Sequence, residues 1–342
     1  MIRVLTYDQI DFAEWQALVA SCQTGTWFQS PEAYEFYASL PEVMEPFVLG
    51  VQNTEYRVQT LRGVCVGYVT KERNKLKHFF TRRAIILGGP VLSEDASLEE
   101  VEALMRAVNG YGLQVTGKPI YIETRNFEDY SQWREAFEAA GFEYKRHLNF
   151  HVDPMVNRLS ENRRRQIKKS DAVCELAQSE TEVKEWYQVL ERLYKTKVKT
   201  PLWPEEFFLE AYRQGIGKFL LVKHEGKVIG GTMVVVRELG NERVSELGKG
   251  CVYEWFECGM NAEYKEQYPS VMATWAGIQY AKKHGCARYD MMGAGEPGVP
   301  YGVRDFKAEF GGMMVEHGRF LCVCKPWLYK IGKMGVKVMK GK

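Results

Sequence analysis

In "YGVRDFKAEFGG", residues 301–312, Lys307 sits between Phe306 and Phe310 just ahead of two glycines. Phe306 and Phe310 are four apart, the spacing that puts two rings on the buried face of a helix, and Gly311 is a natural stop for it. Lys307 then either points into water or aims its ammonium into a cleft, where a compact positive charge would stabilise an oxyanion. A second cluster, "NRRRQIKKS", places Arg163, Arg164, Arg165, Lys168 and Lys169 within seven residues. On a helix Arg164 faces Lys168 and Arg165 faces Lys169, and like charges at that spacing repel unless an anion lies between them. The plain alternative is a solvated basic face. Glu123, in "IYIET", is a candidate proton acceptor at a strand end, against the alternative of an ion pair with Arg125. Asp290, inside "YDMMG", reads as a buried loop anchor.

These residues need a frame, and the frame repeats. "SLEEVEALMRAV" (97–108) has helical periodicity, "KPIYIET" (118–124) reads as a strand, and "SQWREAFEAAGFEYKRHLNF" (131–150) as helix, glycine stop and strand. The same order returns in "SVMATWAGIQYAKKHG" (270–285), "ARYDMMG" and "VRDFKAEFGGMMVEHGRFLCV". Gly141 and Gly311 lie about 170 residues apart, near half of the 342-residue chain. Each copy opens with a helix followed by paired strands. "KFLLVKHEGKVIGGTMVVVRE" (218–238) is a hairpin around Glu225-Gly226-Lys227, and "EPFVLGVQ" with "VCVGYVTKER" fills the matching place. The expected fold is α/β with mixed sheets: two tandem units in the element order of GNAT acyltransferases, with a cleft between them. The expected domains are 1–152 and 153–317, with a tail of about 318–342 packed on the first.

Composition narrows the function. A net charge of +2 restricts any polyanion contact to a local cluster. Eight cysteines without a CxxC pair or His/Cys ligand spacing point to reduced thiols and a cytoplasmic location, with no metal and no disulfide framework. No apolar run approaches a membrane span, and acids interrupt the first apolar stretch, so neither export nor membrane insertion is expected.

Four stretches carry a family resemblance: "WFQSPEAYEF" (27–36), "GGPVL" (88–92), the basic "NRRRQIKKS" (162–170) and "YDMMGAGEPGVPYGVRDFKAEFGG" (289–312). Together they resemble the Fem peptidoglycan-bridge aminoacyltransferases, tandem GNAT-like proteins. That resemblance implies transfer of an aminoacyl group from aminoacyl-tRNA to an amine of a peptidoglycan precursor or related acceptor, without a cofactor. It implies Lys307 and Glu123 as catalytic residues, and Phe306, Arg163, Arg164, Lys168 and Lys199 as substrate-binding ones. Lys197 and Lys199 lie where the family shows Thr-x-x-Arg, and a loop reading serves them equally. The early helix continues as Phe36-Tyr37 where the family can carry a lysine that meets precursor phosphate, which leaves the acceptor open.

The alternatives are an acyl-CoA-dependent GNAT N-acyltransferase and a catalytically silent tandem scaffold. "RQGIGK" (213–218) has glycines suited to a pyrophosphate but precedes the hairpin, whereas a CoA loop follows the central strand. The glycine-rich "GAGEPGVPYG" (293–302) either cradles a ligand or crosses a domain boundary. The tail from Lys325 holds six lysines in eighteen residues, with Trp327, Leu328, Ile331, Met334 and Val338 at helical spacing. Two fates fit it: packing back onto the first domain, the commoner outcome, or peripheral contact with an anionic membrane. The sequence sets no oligomeric state.

Overall fold

The computed structural model describes residues 1–54, 60–72, 81–114, 118–156, 158–237 and 250–340, with side chains in the last helix described as far as Lys333. Parts of the sequence readings fall outside: Arg73 and Glu238 at the ends of expected strands, Asn157 at the expected domain boundary, the approach to Gly250, and the side chains of Met334 and Val338.

The first unit opens with β1 (Ile2–Thr6), α1 (Phe12–Ser21), α2 (Pro31–Ala38), β2 (Met44–Asn53), β3 (Leu61–Thr70), β4 (Ala84–Gly88) and β5 (Val91–Leu92). It continues through α3 (Leu98–Gln114), β6 (Tyr121–Asn126), α4 (Arg134–Ala139) and β7 (Glu143–Lys145). The second unit runs β8 (Leu148–Val152), α5 (Glu161–Lys169), β9 (Val173–Leu176), α6 (Glu180–Leu193), α7 (Glu205–Arg213), β10 (Lys218–His224) and β11 (Lys227–Arg237). Then come β12 (Cys251–Gly259), α8 (Pro269–Lys283), β13 (Arg288–Gly293), α9 (Gly302–Ala308) and β14 (Met313–Glu316). The chain closes with β15 (Arg319–Val323) and α10 (Pro326–Lys340).

The two sheets have the same plan. In the first the order is β1-β2-β3-β4-β6-β15-β7 with β5 on β3, and in the second β14-β8-β13-β12-β11-β10-β9. Antiparallel strands lead to a parallel step in each, β4 with β6 and β12 with β13. All ten residues of β3 are buried, as a central strand covered on both faces requires. Val101, Leu104, Met105 and Val108 give α3 the i, i+3, i+4, i+7 stripe that packs into the first core.

The repeat ends in a strand exchange that differs from the expected boundary at 152/153. The compact units are 1–147 with 316–342, and 148–315. β8, contiguous with the first half, pairs with β13 through Tyr289↔Val152 and Asp290↔His151. β15, which follows the second half, pairs with β6 and β7 instead. Both strands have short apolar sequences that fit either sheet, so only non-local pairing decides which one they join.

In the first unit β3 and β4 pair only at Tyr68↔Ile85 and Val69↔Ala84. Where they part, the fully buried Gln29 side chain bridges them: its amide donates to the carbonyls of Val66 and Leu87, both at 2.8 Å, and its oxygen accepts the Val66 N–H at 2.7 Å. Ser30 then caps α2 by accepting the Ala33 N–H, with Pro31 at the first helical position. Replacing Gln29 by Leu strands three buried backbone groups, and thermal denaturation of Gln29→Leu is expected to show a loss of about 3 kcal/mol or more.

Candidate active site

α9 is only seven residues long, and its neighbours hold it. Phe310 is buried and Phe306 half-buried, their ring centroids 5.3 Å apart. Lys307 does not point into water: it is 7% exposed, and its Nζ donates to the carbonyls of Met291 and, at 2.8 Å, Gly293. Those carbonyls converge because Met292 between them takes a left-handed φ of 58°. Asp290 fixes that turn, its Oδ1 accepting the Met292 N–H at 2.6 Å. Burial alone would raise the Asp290 carboxyl. The His151 imidazole, 3.3 Å from Oδ2, the Arg288 charge and the Met292 N–H together hold it below the usual range.

β12 brings two carboxyls to the same place. Glu254 and Glu257 are three apart, a spacing that puts them on opposite faces of a regular strand. A bulge opposite Met233/Val234 leaves Trp255 as the extra residue, and this resets the alternation so that both glutamates act on Lys307. Glu254 is buried and accepts the Tyr289 hydroxyl at 2.6 Å, and burial raises its carboxyl. Burial, followed by the nearby Glu254, pushes Glu257 up to about 8. Glu257 is half-buried as a residue, yet its Oε1 is shut away from water without a hydrogen-bond partner. Burial lowers the Lys307 ammonium, against the pull of Glu254, Asp290 and Glu257.

The basic cluster divides. Arg163 is buried, with its guanidinium 4.6 Å from the Phe306 ring centroid and 5.4 Å from that of Phe310, 3.1 Å from Glu309 and bonded to Gln166. It is therefore a clamp on α9, and its expected role as a substrate ligand is corrected: the guanidinium is buried between the two rings, Glu309 and Gln166, with its Nε also shut away from water. Arg164 is exposed but turns back to the Leu159 carbonyl, Arg165 bonds Asn162, and Lys169 pairs with Glu266. Lys168 is exposed and has no side-chain partner among the described residues. Lys199 is exposed too, on the left-handed residue (φ 56°) that ends the π-helical turn Tyr194–Val198.

Glu123 lies within β6 rather than at its end, 2.8 Å from Arg125 and 3.1 Å from Arg319. Burial would raise it, but the two guanidinium groups bring it down to about 2. That corrects its candidacy as a base, because a carboxylate so stabilised has little affinity for a proton. The loop at 293–302 closes on Arg304, which donates to the carbonyls of Ala294, Val299 and Glu296.

Sequence reasoning missed Glu254 and Glu257. The available signal was a pair of acids in the apolar run "VYEWFECG", but without the bulge nothing places them together.

Two stability experiments follow. Lys307→Met leaves two carbonyls and the Glu254 and Asp290 carboxyls uncompensated, so a loss of about 3 kcal/mol or more is expected in urea unfolding, partly restored by adding Glu254→Gln. Glu123 adds stability above its unfolded value of 4.5, and this is lost as pH falls through about 2. The acid limb of a Tm profile in that window is expected to flatten in Glu123→Gln.

Comparison with known proteins adds the following. The FemAB family model matches residues 249–336, a stretch that holds Glu254, Glu257, Asp290 and Lys307. The structure of FemX is similar over 96% of this chain and 99% of its own, at 14% identity and a TM-score of 0.66. L-PGS from Bacillus licheniformis is similar over 89% of this chain and 96% of its own, at 13% identity and a TM-score of 0.53. A GCN5-related glucosamine N-acetyltransferase region of a fungal multi-domain GH3 beta-N-acetylglucosaminidase is similar over 94% of this chain and 38% of that one, at 12% identity and a TM-score of 0.52. No curated protein matches. The chain thus has a Fem-like fold of two tandem GNAT-like units, and its FemAB match spans the buried charge centre around Lys307.

Proposed function

We propose that this chain is an aminoacyltransferase that moves an aminoacyl group from aminoacyl-tRNA to an amine of a cell-wall or related precursor. The observation that carries this reading is the coincidence of the FemAB match with the Lys307, Glu254, Glu257 and Asp290 cluster. Amide formation from an ester needs a neutral amine: the ammonium proton goes to a base, the C–N bond forms, the ester C–O bond breaks, and the proton the nitrogen then sheds ends on the leaving alcohol oxygen. Glu257 suits that role better than Glu123, since its carboxyl is held near neutrality and its Oε1 is uncommitted. Lys307 gives its N–H groups to two carbonyls, so its contribution is a fixed positive charge that favours the tetrahedral oxyanion and keeps Glu254 and Glu257 in place.

The donor is argued from the turn after β12. A CoA pyrophosphate calls for backbone N–H groups at a helix N-terminus. Residues 260–268 contain no glycine, and α8 begins with Pro269, which has no N–H to give. Arg164, Arg165 and Lys168 remain as exposed cations for backbone phosphates, with Lys199 as a further candidate. A cytoplasmic site, where charged tRNA is found, agrees with the eight free cysteines. The satisfied hydrogen bonds of Lys307 favour one other reading, a silent scaffold in which the centre is purely structural.

Incubation with charged tRNA and with acetyl-CoA, each beside a pool of amine acceptors, separates these readings. Saturable, salt-sensitive aminoacyl transfer is expected. As the base must lose its proton to act, turnover should rise with pH toward about 8, and Glu257→Gln should remove that limb and about 100-fold of the rate. Transfer from acetyl-CoA alone would replace the donor. No transfer from either donor would favour the scaffold.

A further inference from the structure

The closing helix α10 uses only part of its apolar surface. Leu328 is 3% exposed, and Tyr329 meets Tyr121 of β6 edge-on with centroids 5.6 Å apart, so the first turn is anchored. Trp327 and Ile331, one turn apart, stay in solvent at 65% and 38% exposure. Of the apolar residues expected to fold back onto the first unit, Leu328 is buried whereas Trp327 and Ile331 are not. Lys330 and Lys333 are exposed beside them. From Lys325 to Lys342 the chain has six lysines and no acid, and at 3.6 residues per turn Lys330 and Lys333 share one side while Trp327 and Ile331 share the next.

We infer that α10 docks on an anionic bilayer surface, with the Trp327–Ile331 edge at the boundary between headgroups and acyl chains and the lysines against lipid phosphates. A helix with a cationic side and an adjoining Trp/Ile edge has the distribution of an interfacial helix, and tryptophan favours that boundary. The charge selects this occupant. A second copy would bring lysine against lysine, and a nucleic acid would neutralise the lysines while leaving Ile331 without an apolar partner. Among the described residues no helix is long and apolar enough to cross a membrane, so the contact is peripheral. Gly332 and Gly335 weaken the helix in water, and docking would stiffen it. The inference is independent of the transferase reading.

Co-sedimentation of the whole protein with vesicles tests it. Vesicles of phosphatidylcholine alone are compared with vesicles containing about 30% phosphatidylglycerol, at roughly 0.1 M and 0.5 M salt. Partitioning onto the anionic vesicles is expected to exceed that onto the neutral ones by about tenfold and to fall with salt. Lys330→Glu/Lys333→Glu should lower it by about tenfold or more, and Trp327→Ser/Ile331→Ser by about tenfold. All four positions are exposed, so unchanged thermal melting certifies the variants. Equal partitioning of both vesicle types, or variants that bind like wild type, overturns the inference. Self-association without vesicles that Trp327→Ser/Ile331→Ser abolishes would reassign the face to a second copy. Binding of uncharged tRNA but not of vesicles, lost in Lys330→Glu/Lys333→Glu, would reassign it to nucleic acid.

Discussion

An ammonium group removed from water must be compensated by oxygen atoms on the inside, and much of the second unit is arranged to do this for Lys307. Two carbonyls reach its Nζ only because Met292 is left-handed, and Met292 is held so by Asp290. The opposing charge comes from Glu254 and Asp290, joined by Glu257 once it loses its proton, and the two glutamates share a side only because β12 bulges at Trp255. The helix that carries Lys307 is clamped by Arg163 across Phe306 and Phe310. The turn that follows it closes at Gly311, where φ is 78° and a Cβ would lie 2.1 Å from the Arg158 carbonyl oxygen. Four elements, β12, β13, α5 and α9, are thereby tied to one charge, and a change in any of them alters the field that the others feel.

The features read correctly from sequence are those with local causes. Gly141 and Gly311 both adopt positive φ just past a short helix, so a glycine stop in each half marked a genuine repeat. Gln29-Ser30-Pro31 and Gly88-Gly89-Pro90 are structural devices: a buried amide between parting strands with a helix cap behind it, and a turn with two left-handed glycines whose Gly88 and Pro90 carbonyls meet the Tyr130 hydroxyl. Such motifs transmit a fold and say little about a substrate. Features set by distant partners stayed hidden. β8 and β15 could not be assigned to a sheet, Arg163 could not be told from Lys168 within one run of charge, and Glu254 and Glu257 became a pair only through a bulge on a neighbouring strand pair.

The two carboxyls considered as bases illustrate how environment overrides residue type. Glu123 and Glu257 start from the same ordinary value, and both are screened from water. Glu123 has two guanidinium groups within 3.1 Å and is driven to about 2. Glu257 has another glutamate as its strongest charged neighbour and is driven to about 8. Strand position alone gave no means to separate them: Arg125, the larger charge on Glu123, is visible two residues along, but Arg319 is far away in sequence and Glu254 is out of phase with Glu257 in the strand.

The repeat also supplies a control for Lys307. Counting back from the glycine stops, Lys307 precedes Gly311 by the same four residues that separate Phe137 from Gly141. Phe137 is fully buried and stacks on Phe320 with centroids 4.0 Å apart. One architecture therefore fills the same helical position with a phenyl ring in one copy and an ammonium in the other. The ring stabilises by apolar burial alone, whereas the ammonium requires two carbonyls, a left-handed residue, a strand bulge and a set of carboxyls to be tolerated. A fold with an apolar solution to this position does not need the charged one for stability, and that asymmetry between copies supports the proposal that Lys307 and its carboxyls serve chemistry.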